Sequence, residues 1–310
     1  MVRRSALCLG VVLVSCTLMF RPAVHGQQVK SSDPVLVTVN GQSIRESQVR
    51  RLLEMRHIPA KSQEQARTAF LNELVDSEVI RQFLADRNAL PTKPELDAAV
   101  KEFKALTTKG SKNPDQALIA AGYTDEVLRD QVMLPLAWQK HVERVFTNTT
   151  ITEYFARHRE QFDGTQVRAR HVFLKVATGK PSPELAAAEQ KLAGIRQQIL
   201  AGNLSFEEAA QKYSEGPSAS RGGDVGFFAW RGKMPESFSK VAFKLKPKEI
   251  SEPFQSQFGV HICTLIERKP GTVEPEDVRE QVLRQMAQEL WTKTAGELRA
   301  KAKLDWKTKS

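Results

Sequence analysis

The spacing of hydrophobic residues changes twice along the chain and divides the sequence into three segments behind an apolar N-terminus. From about residue 33 to residue 146, apart from a short alternating stretch at Val35–Val39, apolar positions recur every three or four residues, which predicts amphipathic helices. From residue 166 to residue 268, short strand-like stretches are interleaved with helical ones. From about residue 274 to the C-terminus the spacing is helical again.

The middle segment, residues 166–268, is expected to fold as a compact α+β domain. Val167–Leu174 and the stretch from Ile250 to Glu267 read as strands, and Pro183–Leu200 reads as an amphipathic helix. A Gly- and Ser-rich loop follows a second, shorter helix. Strands interleaved with helices over about 100 residues are typical of the α+β class.

The last segment cannot bury its apolar stripe by itself. Val278, Val282, Met286 and Leu290 lie four residues apart in a short, polar-rich stretch, which is too small to form its own core. We expect this stripe to dock on the helices of residues 62–146. The predicted fold class is therefore α+β, with the 166–268 domain inserted in an all-helical domain formed by residues 33–150 and 274–310.

The N-terminus has the pattern of an export signal. Two arginines precede an apolar run from Ala6 to Phe20, which is shorter than the ~20 residues that span a membrane. Small residues before Gln27 predict cleavage there, so that residues 1–26 are removed. An uncleaved membrane anchor and a lipoprotein lipidated at Cys16, within Leu13-Val14-Ser15-Cys16, are the alternatives. All three locate the working chain outside the cytoplasm, in the periplasm or an equivalent compartment.

Composition narrows the classes of protein and of partner. The chain has 310 residues, 41% hydrophobic and 26% charged, which excludes wholesale disorder and a multi-span membrane protein. The net charge of +10 would allow a nucleic-acid partner, but the basic residues are dispersed and no basic-aromatic stripe occurs, so we expect none. Three cysteines cannot build a disulfide framework, and Cys263 is expected to be buried in a strand.

Several short motifs of the middle segment occur in a familiar order and spacing. They are Ala169-Arg170-His171-Val172, Tyr213-Ser214, Gly222-Gly223-Asp224-Val225-Gly226-Phe227, Met234…Phe238…Ala242-Phe243, Ile250-Ser251-Glu252-Pro253 and Phe258-Gly259-Val260-His261-Ile262. With these motifs the segment resembles the parvulin-type, or PpiC-type, peptidyl-prolyl cis/trans isomerases. The flanking segments resemble the extracytoplasmic chaperone-isomerases of the SurA and PrsA kind. The resemblance implies an isomerase and folding chaperone without cofactor, whose partners are unfolded or nascent exported polypeptides with X–Pro bonds.

The chemistry of this reaction sets the kind of site to expect. Rotation about an X–Pro bond needs no nucleophile, but the amide must lose its double-bond character. A dry pocket that grips the prolyl ring lowers the barrier because water stabilises the planar ground state, and hydrogen bonds to the twisted carbonyl add to this. Val225, Met234, Phe238 and Phe258 are the candidate substrate-binding wall. The resemblance assigns Met234 and Phe238 to the proline pocket; ordinary core packing is the alternative for each.

Four positions are candidates for the catalytic group: His171, His261, Gly216 and Asp224. The resemblance makes the two histidines the paired imidazoles at the floor of the site. A metal site is the alternative function for them, but no Cys, Asp or Glu at ligand spacing accompanies them, so no metal is expected. A structural role, in which the pair bonds to itself and holds the central strands, is compatible with catalysis. Asp224 follows two glycines and is expected to accept backbone N–H groups rather than act as a base.

Gly216 departs from the pattern of the family. Parvulin-type domains usually carry Cys or Asp at this position, facing the substrate carbonyl, and Glu215 is the alternative source of a polar group here. The departure keeps open a second function, a holdase chaperone whose isomerase domain is weakly active or inactive. The loop from Lys175 to Pro181 has no arginine cluster, so no preference for phosphorylated substrates is expected.

Overall fold

The computed structural model describes residues 33–110, 113–120 and 123–307. The export signal of residues 1–26 and Cys16 lie outside the described residues. Within the described ranges, no helix combines the length and the apolar composition that crossing a bilayer requires.

The described chain combines helices with antiparallel strands, and the predicted α+β class is confirmed. In chain order the elements are β1 Val35–Val39, β2 Gln42–Arg45, α1 Glu46–Met55, α2 Gln63–Ala85, α3 Lys93–Thr107, α4 Pro114–Ala120, α5 Asp125–Val145, α6 Asn148–Arg157, β3 Gln166–Lys175, α7 Pro183–Leu200, α8 Phe206–Tyr213, β4 Asp224–Ala229, α9 Glu236–Ala242, β5 Phe254–Ser256, β6 Gly259–Lys269, α10 Arg279–Lys301 and β7 Leu304–Trp306.

The chain forms two compact units. The split unit takes in the described residues up to Val145 together with those from Ala287 onward, and the continuous unit runs from Phe146 to Met286.

The split unit is not all-helical, contrary to the expectation from sequence. It contains a three-stranded antiparallel sheet in the order β2-β1-β7. The Asn40-Gly41 turn closes the first hairpin, with both residues at positive φ, and this geometry favours these two residue types. The third strand is added after α10, where Leu304 packs with Val37, Val39 and Val79. A three-residue strand has too little alternation to be distinguished from the end of a helix by its pattern.

The first three residues of the stripe in the last segment pack within the continuous unit. Val278, Val282 and Met286 pack with the buried side chains of α6, among them Ile151 and Phe155, in the continuous unit. The prediction that they dock on the helices of residues 62–146 is therefore wrong for this part of the stripe. Farther along α10, Leu298 does pack in the split unit. Apolar periodicity shows which face of a helix is buried, but not against which partner.

The continuous unit is built on a four-stranded antiparallel sheet in the order β4-β3-β6-β5. One face, with Val172 and Ile262, is covered by α7 and α8. The other face, with Ala169 and Leu265, is covered by α9 and by aromatic side chains of the β4 region. Cys263 lies on this second face and is fully buried, as its strand pattern predicted.

Candidate active site

The two candidate histidines come together on the second face of this sheet. His171 lies on β3 and His261 on β6, where the register pairs His261 with Phe173 and His171 with Cys263. The histidines are therefore diagonal neighbours, close enough for their side chains to meet. Their rings stack with centroids 5.6 Å apart, and the two Nδ1 atoms lie 3.4 Å from each other.

A serine hydroxyl bonds the outer nitrogen of each ring. Nε2 of His171 lies 2.9 Å from Ser218 Oγ, and Nε2 of His261 lies 2.7 Å from Ser256 Oγ. All four side chains belong to buried residues. A hydrogen bond between two Nδ1 atoms requires one ring to donate and the other to accept, so one proton lies between the rings. The proton between the rings can belong to His171 or to His261. In either case each serine hydroxyl can bond the Nε2 atom of its histidine, because a hydroxyl can act as donor or as acceptor.

The electrostatic environment keeps both rings neutral. Burial lowers the pKa of His171 to about 4. Burial, followed by the proximity of His171, lowers the pKa of His261 to about 3. Desolvation disfavours the charged imidazolium, and a second proton between the rings would bring two N–H groups into opposition. At neutral pH the pair is a polar but uncharged group inside an apolar site.

Three phenylalanines surround this pair. Phe173 stacks on His261 at 4.8 Å and Phe254 stacks on the same ring at 5.4 Å. Phe238 meets both imidazoles edge-on, at 5.6 Å from His171 and 5.7 Å from His261. The arrangement combines an apolar surface with fixed hydrogen-bonding groups, which is the kind of environment that the chemistry of amide rotation calls for.

The four predicted wall residues differ in exposure. Val225 and Met234 are partly buried and, like Phe254, pack against the buried cluster that contains Phe238. Phe238 is fully buried, so its ring supports the histidines from within the core. Phe258 is 55% exposed in the turn between β5 and β6, and its place in the substrate-binding wall stays a prediction.

Gly216 lies directly beside the histidine pair. It is buried, and a Cβ built on it would stand 3.3 Å from His171 Nε2 and 3.5 Å from Phe173. Glu215 does not take its place, because the Glu215 carboxylate accepts the N–H of Lys175 at 2.7 Å. Glu215 was the alternative source of a polar group here, but its carboxylate is engaged with the backbone of Lys175. The polar group that contacts Nε2 of His171 is the hydroxyl of Ser218.

Asp224 forms an ion pair with an arginine of the neighbouring strand. Its carboxylate binds the guanidinium of Arg168 at 2.5 Å and accepts the N–H of Gly226 at 2.8 Å. The Arg168 hydrogen bond is the main reason why the pKa of Asp224 lies below its usual range. The hydrogen bond from a backbone N–H was predicted from the two preceding glycines, and it lies in the bend of β4. A role of Asp224 in catalysis stays a prediction.

Sequence reasoning did not identify Ser218, Ser256, Phe173 or Phe254 as members of the site. Phe173 was detectable, because strand alternation puts it on the same side as His171. Phe254 and Ser256 lie on β5, and Ser218 follows Gly216 in a loop, so their proximity to the histidines depends on tertiary folding. Within the described ranges, no group of three or more His, Cys, Asp or Glu side chains is arranged to hold a metal ion.

This combination of sheet, paired histidines and aromatic lining belongs to a known class of domain. Residues 171–267 match the family described as rotamase, PPIC-type PPIASE domain. The middle of the chain is therefore a parvulin-type, PPIC-type isomerase domain, and the resemblance deduced from its motifs is confirmed.

The chain as a whole is similar to SurA chaperones and PrsA foldases. It is 30% identical to the foldase protein PrsA of Bacillus subtilis over 195 residues, 62% of this chain and 59% of that protein. It is 39% identical to the chaperone SurA of a Polaromonas species over 150 residues, 46% of this chain and 30% of that protein. A Xylella fastidiosa SurA is 24% identical over 326 residues, 98% of this chain and 68% of that protein.

The PrsA and Polaromonas SurA relatives are each matched over less than two thirds of their own length. Among solved structures, the peptidylprolyl isomerase PrsA of Bacillus anthracis aligns with 75% of this chain and 96% of its own, at a TM-score of 0.45 and 23% identity.

Proposed function

We propose that the protein is an extracytoplasmic peptidyl-prolyl cis/trans isomerase and folding chaperone for exported proteins. The observation that carries the proposal is the hydrogen-bonded series Ser218–His171–His261–Ser256, set among aromatic rings in a domain that matches the PPIC-type isomerases. The chaperone part rests on the similarity to SurA and PrsA.

The proposed mechanism is non-covalent. An apolar wall that includes Met234 and Val225 receives the prolyl ring and removes water from the X–Pro amide. Loss of water weakens the polar resonance form that keeps the amide planar, so the barrier of ~18–20 kcal/mol falls. The neutral imidazole pair, fixed by the two serines, supports the aromatic floor and supplies dipoles that do not have to reorganise as the amide twists. No nucleophile and no change of charge are required.

The proposed partners are unfolded or nascent exported polypeptides that contain X–Pro bonds. The N-terminal pattern of the sequence supports the extracytoplasmic location, by a cleaved signal or by an anchor at Cys16. Either route brings the protein to the compartment where such clients emerge.

An isomerisation assay on the purified protein tests this function. The cis-to-trans rate of a tetrapeptide with one internal X–Pro bond is measured with and without the protein, and with a His171→Leu His261→Leu variant as the control. We expect acceleration by the wild type, insensitivity to a chelator and loss of the rate in the control. If the folded wild type leaves the isomerisation rate at its uncatalysed value but suppresses the aggregation of unfolded proteins, the isomerase function is rejected. That result would support the alternative of a holdase chaperone, which the glycine at position 216 keeps open.

A further inference from the structure

The strand β4 contains a bend whose carbonyl groups converge on one lysine. Gly226 has a φ of +69°, in the left-handed region. The Nζ atom of Lys233 donates to the carbonyl oxygen of Val225 at 2.5 Å and to that of Phe227 at 3.2 Å. A Cβ built on Gly226 would stand 3.3 Å from this Nζ. The ammonium therefore fills the concave side of the bend.

The backbone N–H group of the same bend is bound by Asp224. Its carboxylate accepts the N–H of Gly226 while Arg168, on the neighbouring β3, binds the same carboxylate. An anion thus takes the amide side of the bend and a cation takes the carbonyl side. Charge-assisted hydrogen bonds of this kind are stronger than neutral ones and fix geometry.

Lys233 also connects two separate pieces of the proposed proline pocket. One of its two carbonyl acceptors belongs to Val225 on β4, and the residue that follows Lys233 in the chain is Met234. The side chains of Val225 and Met234 pack on the same buried cluster, which also receives Phe254. The hydrogen bonds of Lys233 tie the loop between β4 and α9 back to β4. Gly232, in the same loop, has a φ of +108° and adds no rigidity of its own.

From this geometry, and on the basis of the proposed function, we infer that Lys233 is a positioning residue for the isomerase site. Its ammonium sets the separation between the Val225 and Met234 walls that grip the prolyl ring. Lys233 itself need not touch the substrate, and its side chain belongs to an exposed residue at the rim.

Kinetic parameters distinguish this role from a merely structural one. Walls that hold the ring equally in ground and transition states contribute uniform binding, so losing their spacing raises KM and leaves kcat less affected. Partial unfolding would instead reduce the concentration of active protein, lowering the apparent kcat at an unchanged KM.

The test compares Lys233→Met with Lys233→Arg in the full-length protein. Lys233→Met keeps the approximate length of the side chain and removes the donors, and we expect KM to rise about tenfold, which corresponds to ~1.4 kcal/mol of lost binding free energy. Lys233→Arg retains two donors and should recover most of the affinity. Lys244→Met, which removes the same charge from an exposed position just beyond α9, is the matched control and should behave as wild type.

A second measurement separates this inference from the proposed function. The Kd of the same proline-containing peptide is measured by fluorescence anisotropy, which needs no turnover. If the wild type binds the peptide without accelerating isomerisation, the proposed function fails, and the inference about Lys233 is judged on the Kd ratio alone. A Lys233→Met variant with wild-type KM and wild-type Kd would overturn the inference, as would a wild type with no measurable binding of the peptide.

Discussion

Lowering the pH from about 7 to about 4.5 is expected to destabilise the continuous unit through its histidine pair. In the folded protein the pKa of His171 is lowered to about 4 and that of His261 to about 3, both chiefly by burial. In the unfolded chain both imidazoles return to a value near 6.5. Above this value neither state binds a proton, and the pair contributes no pH dependence.

Below pH 6.5 the unfolded state takes up protons that the folded state refuses, so stability falls as the pH falls. The contribution of His171 to this loss continues until the pH reaches its folded pKa of about 4, and that of His261 continues to about 3. A tenfold change in proton affinity corresponds to ~1.4 kcal/mol, so His171 alone accounts for a loss of roughly 3 kcal/mol across this window. That is a large part of the 5–15 kcal/mol that typically stabilises a domain.

Urea unfolding at a series of pH values measures this loss. Trp230, the buried tryptophan of the continuous unit, provides a fluorescence signal for its unfolding. A His171→Gln His261→Gln variant removes the titrating groups and keeps some hydrogen-bonding capacity. We expect it to be less stable than wild type at neutral pH but to lose less stability on acidification. His57→Asn changes an exposed histidine of the split unit, at a positive φ that asparagine tolerates, and is the control for the loss of a histidine elsewhere in the chain.

The same variants test whether the histidine pair causes the loss of stability at low pH. Carboxylates also titrate in this range, so the difference between wild type and the double variant is the informative quantity. An equal loss of stability in both proteins would mean that the histidine pair is not the cause. An NMR titration in which the imidazoles of the folded protein protonate near pH 6.5 would contradict the assignment directly.

Three further predictions concern the same domain. Met234→Ala should reduce the isomerisation rate when the variant and the wild type are compared at the same folded fraction. Phe238→Ala should instead lower the free energy of unfolding by about 3–5 kcal/mol, measured by denaturant unfolding, because the Phe238 ring is fully buried. Equal losses of stability in the two variants would contradict this distinction. Gly216→Asp should bring a carboxylate beside His171 and raise the pKa of that imidazole, visible by NMR, and an unchanged titration would show that the new side chain turns away. Cys263, whose thiol pKa is raised to about 12 by burial, should resist iodoacetamide in the native protein at mildly alkaline pH and react in denaturant, and rapid native modification would argue against its burial.

The sequence determined the local features of this protein. Alternation at Val167–Leu174 predicted β3 and placed His171 and Phe173 on one face, and the helix of Pro183–Leu200 was found with the same bounds. These features depend on the periodicity of neighbouring residues, which is readable without the fold. The motifs around Gly222 and His261 likewise identified the class of domain, since their order and spacing are linear properties of the chain.

Only the tertiary structure determined which helices, strands and loops pack together. The first part of the Val278 stripe packs on α6 of the continuous unit, and a helical pattern carries no information on the partner of its apolar face. Ser218 and Ser256 reach the two imidazoles from a loop and from another strand, 47 and 5 residues away in sequence. Whether the imidazoles are charged follows from their burial, which depends on every element packed around them. The resemblance to the parvulin-type domains pointed to the two histidines, and the surrounding fold made them a neutral, hydrogen-bonded pair.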